Sequence, residues 1–168
     1  MSETTDWKEK QLETVRSLLE RSQQAFQQGR VPVAADHVDE ALIILEMAEA
    51  EGIDDEIRQL KARALNDRGL FHQHTDEPDQ ARPLHRQASE VIEQIEEFDE
   101  AFKSTAAAVY LNLGQIALFD QDLPEARQVT EKALGWVDEM LESDVPGGES
   151  LALGVYQNKS ALEGQSGH

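Results

Sequence analysis

The stretch YLNLGQIA occupies residues 110–117, and its glycine, Gly114, begins a spacing that decides the fold. One alanine follows this glycine after twelve residues, and a second follows after seven more. Gly69 begins the same pattern 45 residues earlier. The alanines are Ala126 and Ala133 in the later copy, and Ala81 and Ala88 in the earlier one. A spacing that recurs in this way predicts an internal structural repeat.

Apolar residues recur every three or four positions along the chain, for example at Val38, Ala41, Leu42 and Leu45. This is the period of helices with one buried face, and no stretch alternates as a strand does. Helix-breaking residues divide the chain into segments of roughly twenty residues. They lie at 29–32, 52, 77–78, 122–124 and 146–148. The sequence therefore predicts an all-α fold with six helices and a seventh near the C-terminal end.

The Leu-Gly pair at 113–114 and the alanines that follow it resemble the tetratricopeptide repeat. The resemblance implies a right-handed α-solenoid of antiparallel helix pairs, with about three repeats and a C-terminal helix, in one domain over residues 1–162. The repeats are predicted at approximately 10–50, 54–98 and 99–142, the capping helix at 148–162, and a flexible tail at 163–168. The spacing of 40 to 47 residues exceeds the usual length of about 34 in this family, which indicates a long-repeat variant with lengthened second helices.

The small residues of the repeat have a physical explanation that does not depend on the family. We expect Gly69 and Gly114 to lie where the two helices of a pair cross, because a side chain there would hold the backbones apart. Replacing Gly114 by leucine should overpack the crossing, at a cost of about 1 to 3 kcal/mol.

Charge excludes several classes of partner. The 168 residues include 34 acidic and 15 basic side chains, a formal net charge of −19, and no cysteine. This charge repels phosphate backbones and anionic lipids, so we expect no nucleic-acid and no membrane partner. The polar N-terminal segment lacks the pattern of a secretory signal, and a cytoplasmic location is expected. The acidity leaves two interpretations open: an ordinary acidic helical protein, or halophilic adaptation to a high-salt cytosol.

In tetratricopeptide arrays the first helix of each pair lines a concave groove, and the resemblance implies that this groove binds a peptide or a partner helix. Counting from the Leu-Gly landmark places hardly any acidic residue on this face. The implied function is a non-catalytic scaffold for protein–protein interaction; the alternative is a solvated face without a ligand. The candidate groove residues are Arg16, Gln23, Phe26, Arg63, Asn66, Gln73, Leu111, Gln115, Leu118, Phe119 and Asn158.

The sequence contains no nucleophile elbow, phosphate-binding loop or zinc-hydrolase motif, so we predict no enzyme activity, no metal and no cofactor. His72, His74 and His85 cluster near acidic residues, but the first two are two positions apart and do not face the same way on a helix. We interpret all three as core or loop histidines. The carboxylates at 93–100 are interpreted as the solvated face of a lengthened helix.

Two further functions stay open. One is a self-associating structural module, in which residues 151–162 pair with a second copy in a homodimer and the groove is never free. The other is a regulatory domain that senses a small ligand in the groove, with Arg63 and the histidine cluster as the candidate contacts.

Overall fold

The chain forms seven helices, in a computed structural model that describes residues 3–166 and the side chains of 6–165. The helices are α1 (Glu3–Gln27), α2 (Val31–Ala50), α3 (Asp55–His74), α4 (Pro78–Glu93), α5 (Phe102–Phe119), α6 (Leu123–Glu142) and α7 (Gly148–Ser166). The all-α prediction is confirmed, since the described residues contain no strand. Helix α7 includes 163–166 of the predicted tail, and positions 167–168 of it lie outside the described residues. Over the described range, no helix is both long and apolar enough to span a membrane.

Local sequence signals explain where the helices begin. Proline lies in the first turn of α2, α4 and α6, where its missing N–H costs no hydrogen bond. The Asp54 side chain accepts a hydrogen bond of 2.9 Å from the backbone N–H of Ile57 and so caps α3. Asp122 caps α6 in the same way, with a bond of 3.3 Å from the N–H of Glu125.

The same turn follows α1, α3 and α5. In each case one residue has positive φ, and these residues are Gly29, Asp76 and Gln121. The N–H of the next residue bonds back to a carbonyl five residues earlier, with an N···O distance of 2.8 Å in all three turns. This is the Schellman arrangement, which satisfies the last carbonyls of a helix and reverses the chain. The three turns repeat at intervals of 47 and 45 residues, so the repetition in sequence is matched by repetition in geometry.

Helix packing follows chain order. Helices α1 and α2, α3 and α4, and α5 and α6 pack as pairs, and each pair contacts the next through α2 with α3 and α4 with α5. The first helices also contact one another, α1 with α3, α3 with α5, and α5 with α7. One buried cluster joins α1, α2 and α3, and a second joins α3 through α7, with Leu42 packed against both. The fold is therefore an all-α, repeat-like arrangement with a core that runs along the chain.

The two repeat glycines lie at helix crossings, as their spacing predicts. A Cβ added at Gly69 would lie 2.7 Å from the ring of His85 on α4. A Cβ added at Gly114 would lie 3.2 Å from Thr130 Oγ1 on α6 and 2.9 Å from Asn158 Nδ2 on α7. Glycine is therefore required at both positions by close packing.

The acidic residues after α4 correct one expectation. Helix α4 has 16 residues against 20 in α3, so it is not lengthened, and residues 96–100 lie outside any helix. The backbone N–H groups of Glu96 and Glu97 donate to the Asp55 carboxylate, over 3.4 and 3.1 Å. The N–H of Asp99 donates to Gln59 Oε1 over 3.0 Å. This acidic segment therefore folds back onto the first turns of α3.

Candidate functional site

A cleft of about 530 Å³ lies between the first helices α1, α3 and α5. It brings together four of the predicted groove residues, Gln23, Phe26, Arg63 and Asn66. Its other lining residues are Gln27, Asp67, Leu70, Phe71, Ala101, Ser104, Thr105 and Ala108. The cleft therefore lies on the face where the sequence places a binding groove.

The apolar end of the cleft is built from aromatic rings. Phe26 on α1 and Phe71 on α3 pack with their ring centroids 5.1 Å apart. His74 meets the edge of Phe26 in a T-shaped contact, with centroids 4.7 Å apart. Rings held in this way provide a rigid floor for an apolar side chain of a ligand.

Arg63 and Asp67 form the charged part of the cleft. They are four residues apart on α3 and so lie one turn from each other on the same face. Burial raises the pKa of Asp67 to about 6, and the nearby Arg63 guanidinium opposes this shift. Asp67 is therefore the one acidic side chain among the residues that line the cleft, on a face expected to carry hardly any.

Several polar side chains in the cleft have no hydrogen-bond or ion-pair partner among the described residues, although the charge of Arg63 acts on the nearby Asp67. In the described part of the chain, Gln23, Gln27, Arg63 and Thr105 take part in no side-chain hydrogen bond or ion pair. Ser104 is different, because its hydroxyl donates to the carbonyl of Ala101 over 2.9 Å. Unpartnered amide, guanidinium and hydroxyl groups on a preformed surface are available to a ligand.

Two predicted groove asparagines belong to a buried ladder. Asn66, Asn112 and Asn158 are separated by 46 residues each and are all buried. The Nδ2 of Asn112 donates to Asn66 Oδ1 over 3.1 Å, linking α5 to α3. The Nδ2 of Asn158 donates to the Leu111 carbonyl over 3.3 Å, linking α7 to α5. Asn158 and Leu111 therefore join helices, and only Asn66 also borders the cleft.

Arg16 and Leu118 lie outside the cleft. Arg16 on α1 forms an ion pair with Glu56 at the start of α3. Leu118 is partly buried in a small cluster with Ala117, Ala126 and Leu162, so α6 and α7 contribute to its surroundings. These two residues serve helix packing and do not line a common surface with Arg63.

The remaining predicted residues line a second recess, of about 240 Å³, where α3 and α5 end. Gln73, Gln115 and Phe119 meet there beside Asp76 and Pro78. Phe119 is 78% exposed, the highest value for a large apolar side chain among the described residues. Gln73 follows Leu70 and Gln115 follows Ala108 at helical spacing, so the recess continues the face that carries the cleft.

The three candidate histidines do not converge. His85 is fully buried between α4 and α3, with its Nε2 2.8 Å from Gln73 Oε1. His74 packs on Phe26, and His72 Nδ1 lies 3.7 Å from a carboxylate oxygen of Glu77. Within the described residues, no group of three or more metal-ligating side chains comes together.

Asp67, Gln27 and Thr105 were missed by the sequence analysis. Asp67 follows Arg63 by four residues and Gln27 follows Gln23 by four, so helical spacing alone could have placed both on the face. Thr105 comes from the first turn of α5, and only the packing of α5 against α3 brings it to the cleft.

Comparison with known proteins gives no family assignment, since no protein-family model matches the chain and no curated protein matches it either.

Proposed function

We propose that the chain is a tetratricopeptide-like, right-handed α-solenoid of three helix pairs with α7 as a final helix. The Schellman turns after α1, α3 and α5 support this proposal, because they reverse the chain at the same point of each pair. A fourth turn of this kind, with positive φ at Asp144 and a 2.9 Å bond from the N–H of Val145 to the Met140 carbonyl, leads from α6 to α7. The contacts between successive first helices also support it, since stacked repeats bring equivalent helices together.

The proposed function is a non-catalytic scaffold that binds a peptide or a partner helix along the face of α1, α3 and α5. The observation that carries this proposal is the cleft, in which unpartnered polar side chains surround an aromatic floor. A polypeptide ligand needs donors and acceptors for its backbone, which Gln23, Gln27 and Thr105 provide. It also needs a place for an apolar side chain, which Phe26 and Phe71 provide.

Arg63 adds selectivity for a carboxylate. Its guanidinium presents a planar set of donors that matches a carboxylate in two parallel hydrogen bonds. Because the helices already hold these groups in place, binding requires little ordering of the protein itself. The bound segment would then place an apolar residue on the aromatic floor and an acidic group on Arg63.

A peptide selection tests this function. Peptides from a random display library are selected on the full chain, and their affinities are measured by titration calorimetry. The test variant is Arg63→Ala with Gln23→Ala, which leaves the buried Asn66 untouched. We expect this variant to bind the selected peptides at least about tenfold more weakly, because a charged and a neutral hydrogen bond are lost.

Arg127→Ala is the matched control, since Arg127 is exposed on α6 and lies outside the cleft. Its affinity should equal that of the original protein. Peptides that bind the double variant and the original protein equally would move the site away from this face.

Self-association through α7 is a second candidate function, and one observation favours it. Helix α7 aligns with α5 when 46 is added to each residue number of α5, which is the spacing of Asn112 and Asn158. Under this alignment Tyr110, which is 2% exposed, corresponds to Tyr156, which is 46% exposed. The face of α5 that carries the buried Tyr110 thus corresponds to an exposed face on α7, where Leu153 is exposed as well. Light scattering of the original chain and of Tyr156→Glu decides whether a second copy covers it; a monomer in both would exclude this candidate.

A further inference from the structure

A recess of about 510 Å³ lies away from the cleft, where α4, the segment after it, α5 and α6 meet. Its walls include Tyr110 from α5, Phe98 from the segment, and Trp136 from α6. Phe98 and Trp136 form a T-shaped pair with centroids 4.8 Å apart. Phe98 also stacks on Phe102, with ring centroids 5.7 Å apart, so the Phe98 ring contacts an aromatic ring on both sides.

The recess carries a net negative charge. Glu93 and Glu139 contribute two carboxylates, and Lys132 contributes one ammonium. Glu93 Oε1 accepts hydrogen bonds from Lys132 Nζ, at 2.5 Å, and from the Tyr110 hydroxyl, at 2.8 Å. The Lys132 and Tyr110 bonds hold the pKa of Glu93 below its ordinary range, so this carboxylate is ionised at neutral pH. In the described structure Glu139 is in no ion pair.

The protein already places a cation on one of these rings. Lys132 Nζ lies 5.6 Å from the centroid of Tyr110, within the range of a cation–π contact. Tyr110 itself is buried, so a cation at this place reaches its ring only from the position that Lys132 Nζ now occupies. The Lys132 side chain is about two-fifths exposed and pairs with Glu93, so a ligand cation would have to compete with its ammonium for that carboxylate.

Gly135 supplies the decisive observation. It lies in the interior of α6, where glycine costs about 1 kcal/mol relative to alanine. Gly69 and Gly114 are explained by close packing, but a Cβ added at Gly135 would meet nothing within 4 Å. Gly135 also lines the recess. Helix packing therefore does not require this glycine, and no side chain from this position enters the recess.

We propose that this recess binds a basic side chain, lysine or arginine, of a partner polypeptide. The apolar stem of that side chain would lie against Phe98 and Trp136, and its charged end would lie between the Tyr110 ring and the carboxylates of Glu93 and Glu139. The net charge of −19 draws basic partners toward the molecule. This site is separate from the cleft and does not depend on the function proposed for it.

Nuclear magnetic resonance tests the proposal on the full chain, because Trp136 and Trp7 are its two tryptophans and Trp7 lies outside the recess. The probes are the N-acetyl methylamides of arginine, lysine and norleucine, the last having an apolar stem without charge. The arginine and lysine probes should shift the indole N–H signal of Trp136 in a saturable way and leave that of Trp7 unchanged. The norleucine probe should bind about fivefold more weakly.

Three variants sharpen the result. Gly135→Leu should abolish the saturable shift, since its side chain fills the recess, whereas Gly135→Ala should keep the fold and part of the response. Lys132→Met should tighten binding of the charged probes about threefold to tenfold, because it removes the competing cation. Glu139→Gln should weaken binding of the charged probes, because it removes one carboxylate from the recess.

Several outcomes would overturn the proposal. Equal binding of the norleucine and arginine probes would show that charge is not recognised. Undiminished binding to Gly135→Leu would place the probe elsewhere. Choline, as a fourth probe, would assign the recess to a small free cation and not to a polypeptide side chain if it bound more tightly than the arginine and lysine probes.

Discussion

Replacing Gly69 by alanine should destabilise the fold, although alanine is the better helix former. The added Cβ would lie 2.7 Å from Cε1, 2.8 Å from Nε2 and 3.0 Å from Nδ1 of the His85 ring. These distances are below van der Waals contact, so the ring must move. His85 is fully buried, and its Nε2 is held 2.8 Å from Gln73 Oε1. Movement of the ring therefore disturbs a buried hydrogen bond.

The magnitude follows from three contributions. Alanine in place of glycine in a helix interior gains about 1 kcal/mol. Overpacking of a well-filled crossing costs about 1 to 3 kcal/mol. Loss of the bond to Gln73 leaves a buried donor without a partner, at about 1 to 3 kcal/mol. The net expectation is a loss of about 3 kcal/mol in the free energy of unfolding, which lowers the Tm by about 6 to 12 °C.

Urea denaturation followed by far-ultraviolet circular dichroism measures this change, with Gly135→Ala as the matched control. Both substitutions add one methyl group inside a helix, but the Cβ at Gly135 meets nothing within 4 Å. The control should therefore gain about 1 kcal/mol. If Gly69→Ala is as stable as Gly135→Ala, the His85 ring is not packed against Gly69, and the account of the α3–α4 crossing is refuted.

Three further predictions concern charge. Burial raises the pKa of Asp67 to about 6 from 3.8, so its contribution to stability falls as the pH rises through that window. Asp67→Asn should therefore raise the free energy of unfolding by about 1 to 3 kcal/mol at pH 7 and leave it unchanged near pH 3. A lower free energy of unfolding at pH 7, measured by urea denaturation, would contradict this. Burial lowers the pKa of His85 to about 4, so its contribution to stability is lost as the pH falls from 6.5 through 4. A midpoint above 6 for the His85 ring, in a titration followed by nuclear magnetic resonance, would contradict this lowered pKa. Arg82 bonds to Asp120, Asp122 and Glu125, so Arg82→Met should lower the free energy of unfolding by about 1 to 3 kcal/mol at low salt and by less in molar salt. Arg86 is half-exposed and pairs with Glu125, so Arg86→Met should lower it less. Equal urea midpoints for Arg82→Met and Arg86→Met would refute the network.

Local signals in the sequence were sufficient for the helices. The prolines in the first turns of α2, α4 and α6 and the turn glycine Gly29 mark boundaries through their own backbone limits, which do not depend on the rest of the fold. The length of α4 was predicted less well. Residues 96–100 read as a continued helix because they are charged and lack breakers, but their backbone N–H groups bond to Asp55 and Gln59 instead.

The residues of the cleft were predicted in part, for a geometric reason. Gln23, Phe26 and Arg63 lie in the cleft as expected, whereas Asn158 is buried. Adjacent positions on a helix differ by about 100°, so a small error in the rotation of a helix exchanges a groove residue for a buried one. The recess around Gly135 had no sequence signal, because its walls come from separate elements that only the fold brings together.

The asparagine ladder sets the unit by which such a chain can grow or shrink. Duplication or deletion of 46 residues in frame would return the next asparagine to the side that faces its predecessor. One residue added or removed inside the helix that carries the asparagine would turn that amide by about 100° and leave its partner buried and unpaired. The connections absorb differences of one residue, since the turns recur at intervals of 47 and 45. An engineered array with one more 46-residue unit should therefore keep its interhelical amide bonds, and it would add one helix to the face formed by α1, α3 and α5.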